Sequence, residues 1–123
     1  MSIPILKQGS YLIASIQSSP SDSEWREMGQ QLAERVGKQR SRGVVVDVTV
    51  LELIDSFAAR TLREIAQTVK LRGAEPVIFG IQPEVAFSIV QLGLALGDVP
   101  TELDLDEGLA TLDAILKGGG TNV

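Results

Sequence analysis

Apolar positions along this chain fall into short runs and helical stripes that take turns. Residues 3–6 and 11–16 are two short apolar runs separated by Lys7-Gln8-Gly9-Ser10. That spacing predicts a β-hairpin, with Gly9 supplying the positive φ of the turn. Residues 17–22 are polar loop, and Ser21-Asp22-Ser23-Glu24 has the form of a capping box, a hydroxyl followed three residues later by Glu. Trp25, Met28, Leu32, Ala33 and Val36 then recur at spacings of three and four. They predict one helix face running to about Val36, with Gly37 as the stop.

The central segment has a different texture. After Gly43, the run Val44-Val45-Val46 is β-branched and apolar without alternation, the pattern of a strand covered on both faces. Asp47 and Thr49 break that run. Beyond Asp55-Ser56, the residues Ala58, Leu62, Ile65, Ala66 and Val69 share one helical face, so a helix is expected from about Ser56 to Arg72, closed by Gly73. Either Asp55 or Ser56 can serve as its N-cap.

Residues 76–80 read as a compact strand, and Pro83 opens a short helix through Val85, Ile89, Val90 and Leu92. Gly93 and Gly97 bracket a loop leading to a short edge strand at Val99. Asp104 or Asp106 caps a last amphipathic helix bearing Leu109, Leu112, Ile115 and Leu116. The order β-β-α-β-α-β-α-β-α places the chain in the α/β class. It implies one domain over residues 1–117 with a mixed, mainly parallel sheet and about four helices, followed by a flexible Gly-rich tail over 118–123.

Composition narrows the chemistry. The 123 residues fit a single domain, and with one Trp, one Tyr and three Phe its core must be largely aliphatic. There is no His, which removes Ser-His-Asp and Cys-His catalysis and histidine-ligated metals. There is no Cys, which removes disulfides, thiolate nucleophiles and thiolate metal sites. A net charge of −5 is the wrong sign for a phosphate-backbone binder, so no nucleic-acid partner is expected. No apolar run approaches the roughly 20 residues of a membrane helix, and the N-terminus lacks the pattern of a signal peptide. The expectation is a cytoplasmic protein with no membrane association and no cofactor of its own. What survives is protein recognition and a modifiable hydroxyl.

The residues from Asp47 to Arg60 carry that hydroxyl. Ser56 stands where a helix begins, and free backbone N–H groups and the helix dipole make that a place where phosphate is well accommodated. Arg60, four residues on, lies on the same helical face, either to steady a phosphate, to contact a kinase, or as a solvated surface charge. Asp47 and Thr49 sit at the strand's carboxyl end, where ligands gather in α/β sheets, although Thr49 can equally serve only the loop's backbone. Phe57 is a partner contact or a packing residue. The polar cluster over residues 18–23 is adequately explained as loop and helix cap. Leu92, Leu94 and Leu96 offer an apolar patch for self-association, with core packing as the alternative.

The motif Asp47-x-Thr49-x-x-x-x-Ile54-Asp55-Ser56 resembles the signature of the STAS domain, the module of anti-sigma-factor antagonists and stressosome scaffold proteins. The specific part of the resemblance covers about residues 43–65, while length and element order agree over nearly the whole chain. Many antagonists continue Asp-Ser-Ser-Gly, whereas this chain continues Asp55-Ser56-Phe57-Ala58-Ala59-Arg60, a form closer to the short single-domain stressosome scaffolds. The resemblance implies that Ser56 is phosphorylated by a partner kinase, with Asp47, Thr49, Asp55, Phe57 and Arg60 supporting the site or contacting the partner. It also implies a non-enzymatic scaffold that holds a serine/threonine switch kinase within a larger assembly and releases it on phosphorylation. A longer STAS scaffold protein, a phosphatase that removes the phosphate from Ser56, and further copies of this chain are the other implied partners. A freely soluble anti-sigma-factor antagonist with the same Ser56 is the alternative. A small hydrolase or nucleotide-binding enzyme using Ser56 as nucleophile and a carboxylate such as Asp47 as base is a third reading, weakened by the missing histidine.

Overall fold

The computed structural model describes residues 3–93, 99–103 and 105–121. Its elements follow the order β1 (Ile5–Gln8), β2 (Tyr11–Ser15), α1 (Asp22–Gln39), β3 (Gly43–Asp47), α2 (Ser56–Leu71), β4 (Glu75–Phe79), α3 (Pro83–Gln91), β5 (Thr101–Glu102) and α4 (Leu105–Thr121). The five strands form one sheet in sequence order. β1 and β2 pair antiparallel through the turn at Gly9, whose φ is 59°, and β2 to β5 are all parallel. Strands lying side by side in chain order, joined by crossovers of one hand, put their connecting helices on one face of the sheet. Val85 and Ile89 of α3 accordingly share a core with the buried faces of α1 and α2.

The unalternating valines of β3 are explained by cover on both sides. Val44 and Val46 face α1 and α2 together with Leu12, Ala14 and Ile78, whereas Val45 faces the opposite side with Ile13, Val77, Phe79 and Leu112 of α4. Leu112 is fully buried and Leu109 packs beside it, so α4 alone closes the second, smaller core. This is a three-layer domain with unequal outer layers.

Several boundaries differ from the sequence expectation. β1 begins two residues late, and β5 forms at Thr101–Glu102 while Val99 lies buried ahead of it. The first helix does not stop at Gly37 but runs to Gln39, and Arg40 takes the left-handed C-cap position at φ 50°. Arg72 lies over Gly37: a Cβ at that position would meet Nη2, the far end of this exposed side chain, and the guanidinium, whose Nε donates to the Ala33 carbonyl at 3.2 Å, would have to shift. Asp106 does not cap α4 but is its second residue, and Asp104 lies outside the described residues. α4 continues past Lys117 through the glycines to Thr121. Glycine costs a helix only about 1 kcal/mol per position relative to alanine, so it discourages the last turn without forbidding it. On α3, Val85 and Ile89 are buried, whereas Val90 is exposed and Leu92 partly so. Leu94 and Leu96, the rest of the suggested apolar patch, lie outside the described residues.

Candidate functional site

The site is a loop held between a strand end and a helix start. β3 finishes at Asp47, half-buried, and α2 begins at Ser56. Between them Val48, Leu51 and Ile54 point inward and are buried, while Val50 and Leu53 point outward. Three apolar anchors therefore pin a segment whose intervening side chains remain available at the surface.

Polar contacts fix the first half of this loop. Oδ1 of Asp47 accepts from the Thr49 backbone N–H at 2.9 Å and from the Thr49 hydroxyl at 2.6 Å. An aspartate that bonds the backbone two residues on imposes a turn where the ladder ends. The Val48 N–H still donates to the Phe79 carbonyl at 3.1 Å, and the Ile16 N–H to the Asp47 carbonyl at 3.1 Å. Thr49 in turn touches the loop after β4. Its carbonyl accepts from Nε2 of Gln82 at 2.6 Å, and Gly80, at φ 82°, approaches so closely that a Cβ there would lie 2.1 Å from the Thr49 hydroxyl oxygen.

The second half ends in a helix cap. Asp55, not Ser56, is the N-cap: its Oδ1 accepts from the Ala58 N–H at 2.8 Å, and its carbonyl accepts from the Ala59 N–H at 3.0 Å. Ser56 is thereby the first helical residue, exposed, and its hydroxyl makes no hydrogen bond among the described residues. This division leaves the serine oxygen free of structural duty at the positive end of the helix dipole. Phe57 is half-buried against the main core, and the Arg26 guanidinium of α1 stands 5.0 Å from its ring centroid, a cation–π contact. Arg60 is exposed one turn along α2.

The structure thus joins Asp47 to Thr49 and sets Asp55, Ser56, Phe57 and Arg60 along one helix start. It does not couple Ser56 to a base: Asp47 is engaged with Thr49, and no carboxylate bonds the serine hydroxyl among the described residues. Nor does any group of three metal-ligating side chains occur among them. Beside Asp55, a cleft of about 210 Å³ is lined in part by Pro20, Trp25, Leu51 and Leu53. Arg26, Gly80 and Gln82 escape a reading of the sequence. The only signal for any of them is a glycine placed directly after a strand.

The STAS-domain family model matches residues 7–108, most of the chain and all the elements that build the site. The chain belongs to the STAS-domain family. A serine-to-glutamate variant of RsbS from Moorella thermoacetica superposes with a TM-score of 0.83 at 31% identity, covering 94% of this chain and 97% of that one. A chain from the stressosome, described as a signal integration and transduction hub, superposes at 0.76 with 31% identity over 92% of this STAS protein and 98% of that chain. The RsbT co-antagonist protein RsbRA of Bacillus subtilis is 35% identical over 82 residues, 67% of this chain but 30% of RsbRA. This STAS domain therefore spans under a third of that relative's length. No helix among the described residues is long and apolar enough to cross a membrane.

Proposed function

We propose that this STAS protein is a non-enzymatic stress-signalling scaffold similar to RsbS, which holds a switch kinase within a stressosome-like assembly and releases it when Ser56 is phosphorylated. The observation that carries this reading is the exposed, unbonded Ser56 hydroxyl at the first position of α2, with capping left to Asp55. It occurs on a fold that covers 97% of an RsbS chain. A phosphoryl group adds a charge of about −1.5 to −2 beside the Asp55 carboxylate, partly offset by the helix N-terminus. The consequence is local repulsion of a tightly docked partner with little change of fold. Val50, Leu53 and Arg60, exposed on the same loop and helix start, together with the half-buried Phe57 supply the contact surface, and Asp47 and Thr49 shape the loop.

The kinase brings ATP and Mg²⁺, so this chain requires no cofactor. The co-assembling partner is a longer STAS scaffold of the RsbR type, and a phosphatase resets Ser56. The chain's own copies associate through folded surfaces, since no cysteine is present for covalent linkage. Incubation with a purified RsbT-type kinase and Mg-ATP, followed by phosphopeptide mass spectrometry, tests the assignment. Phosphate on Ser56, abolished by Ser56→Ala, is the expected result. Phosphate settling on Thr49, Thr61 or the 18–23 loop contradicts it.

A further inference from the structure

The contact between Thr49 and the turn after β4 does more than close the fold. Four observations converge on it. Nε2 of Gln82 donates to the Thr49 carbonyl at 2.6 Å. Gly80 adopts φ 82°, a region L side chains rarely enter, and a Cβ there would meet Thr49 three times over: Oγ1 at 2.1 Å and both Cα and Cβ at 3.0 Å. The Gly80 N–H is itself held by the Glu102 carbonyl at 2.9 Å, so this backbone has little room to retreat. Gln82, finally, stands at the N-cap of α3 and makes no side-chain capping bond, while its amide Nε2 donates to Thr49. Residues separated by more than thirty positions in the chain thus brace the start of the Ser56-bearing loop, which Leu51, Ile54 and Asp55 then carry to the helix.

We propose that Gly80 and Gln82 are positioning residues that hold the loop from Val48 to Asp55 in the form in which Ser56 is presented to its kinase. The proposal rests on Ser56 being the phospho-acceptor, as argued above. It also gives Thr49 a role: its hydroxyl is committed to Asp47 and its carbonyl to Gln82, which makes Thr49 the joint of the brace rather than a second acceptor.

Gln82→Glu is the sharpest variant, since it keeps the shape and removes the N–H donor, setting a carboxylate against a carbonyl. A carboxylate at the α3 N-terminus is favourable to the helix, so overall stability is expected to hold. Tyr11→Phe is the control: it keeps the ring and removes the hydrogen bond from Tyr11 to Asp113, at the end of the sheet opposite to Thr49, since Tyr11 pairs with Gly43 and Asp47 closes the other end of β3. Two readouts decide. Amide exchange at Thr49, Leu51 and Ile54 should accelerate in Gln82→Glu by about fivefold or more, the effect of one net hydrogen bond, while Val45 and Val77 exchange as before. Phosphorylation of Ser56 by the RsbT-type kinase should show KM raised by a similar factor with kcat retained, because the kinase must order the loop before either ground or transition state forms. Tyr11→Phe should change neither. Loop amides that exchange as in the wild type, or an unchanged KM, overturn the proposal. Absence of Ser56 phosphorylation in the wild-type protein overturns the assigned function instead, and the exchange arm still decides whether Gln82 braces the loop.

Discussion

Asp55 and Ser56 divide two tasks between neighbouring positions. The carboxylate satisfies the Ala58 N–H, and the hydroxyl is left to solvent. A single residue doing both would lose its cap each time it was modified, at a cost of about 1 kcal/mol. The separation predicts that Ser56→Asp leaves circular dichroism unchanged, since an acidic side chain in the first turn of a helix is tolerated. The same variant should co-purify less of the switch kinase, and full retention of the kinase contradicts electrostatic release. That a serine stood at a helix start was legible in the sequence, as was the choice between two caps. Which of them caps was not, because Asp and Ser are almost equally good acceptors and only geometry separates them. Tyr11 provides an independent residue-scale test. Its partial burial and its hydrogen bond to Asp113 push its pKa up from 10.0 to about 12, with Arg42 opposing. The neutral phenol is favoured in the folded state, so its contribution is complete below pH 10 and is lost as pH rises through about 12. As the chain has one Tyr, the tyrosinate absorbance of the native protein reports this group alone. A midpoint near 10 in the folded protein counts against the Tyr11–Asp113 contact.

At the scale of elements, periodicity was a reliable guide to faces and a poor one to ends. Trp25, Met28, Leu32 and Val36 are buried as their spacing demands, and so are Ala58, Leu62, Ile65, Ala66 and Val69. Gly37 misled because a glycine late in a helical pattern ordinarily means a C-cap. Here Arg72, thirty-five positions away in the chain, lies over it, a contact that no local pattern encodes. Gly80 and Gln82 were missed for the same reason: their meaning lies in Thr49, on another loop. The two roles of Gly37 give different outcomes for Gly37→Ala. In an unobstructed helix the change should stabilise by about 1 kcal/mol. Since the new Cβ displaces the Arg72 guanidinium and its bond to Ala33, the expected net change in urea unfolding is less than about 0.5 kcal/mol. The full helical gain, with the Arg72 contact intact, contradicts this account.

For the whole molecule, an uninterrupted valine run announced a doubly covered sheet, and the order of elements announced its mainly parallel topology. How unequally the two covers are built became visible only in the fold. The face opposite α1 and α2 depends on α4, where Leu112 is the one fully buried large apolar side chain among the described residues. Leu112→Ala should therefore destabilise by about 2–5 kcal/mol in chemical unfolding, and a loss below about 1 kcal/mol would mean that α4 is not an integral layer. A domain so built, with Ser56 exposed at one end of α2, fits the proposed role of an interface switched by phosphorylation. The direct test of that claim is light scattering coupled to size separation. The sample is a mixture of this chain, an RsbR-type partner and the RsbT-type kinase, measured before and after Mg-ATP. The account predicts one large particle containing all three before ATP. Afterwards the particle should persist without the kinase, and Ser56→Ala should keep the kinase in place. A kinase that never enters the particle, or that stays bound when Ser56 is fully phosphorylated, contradicts it.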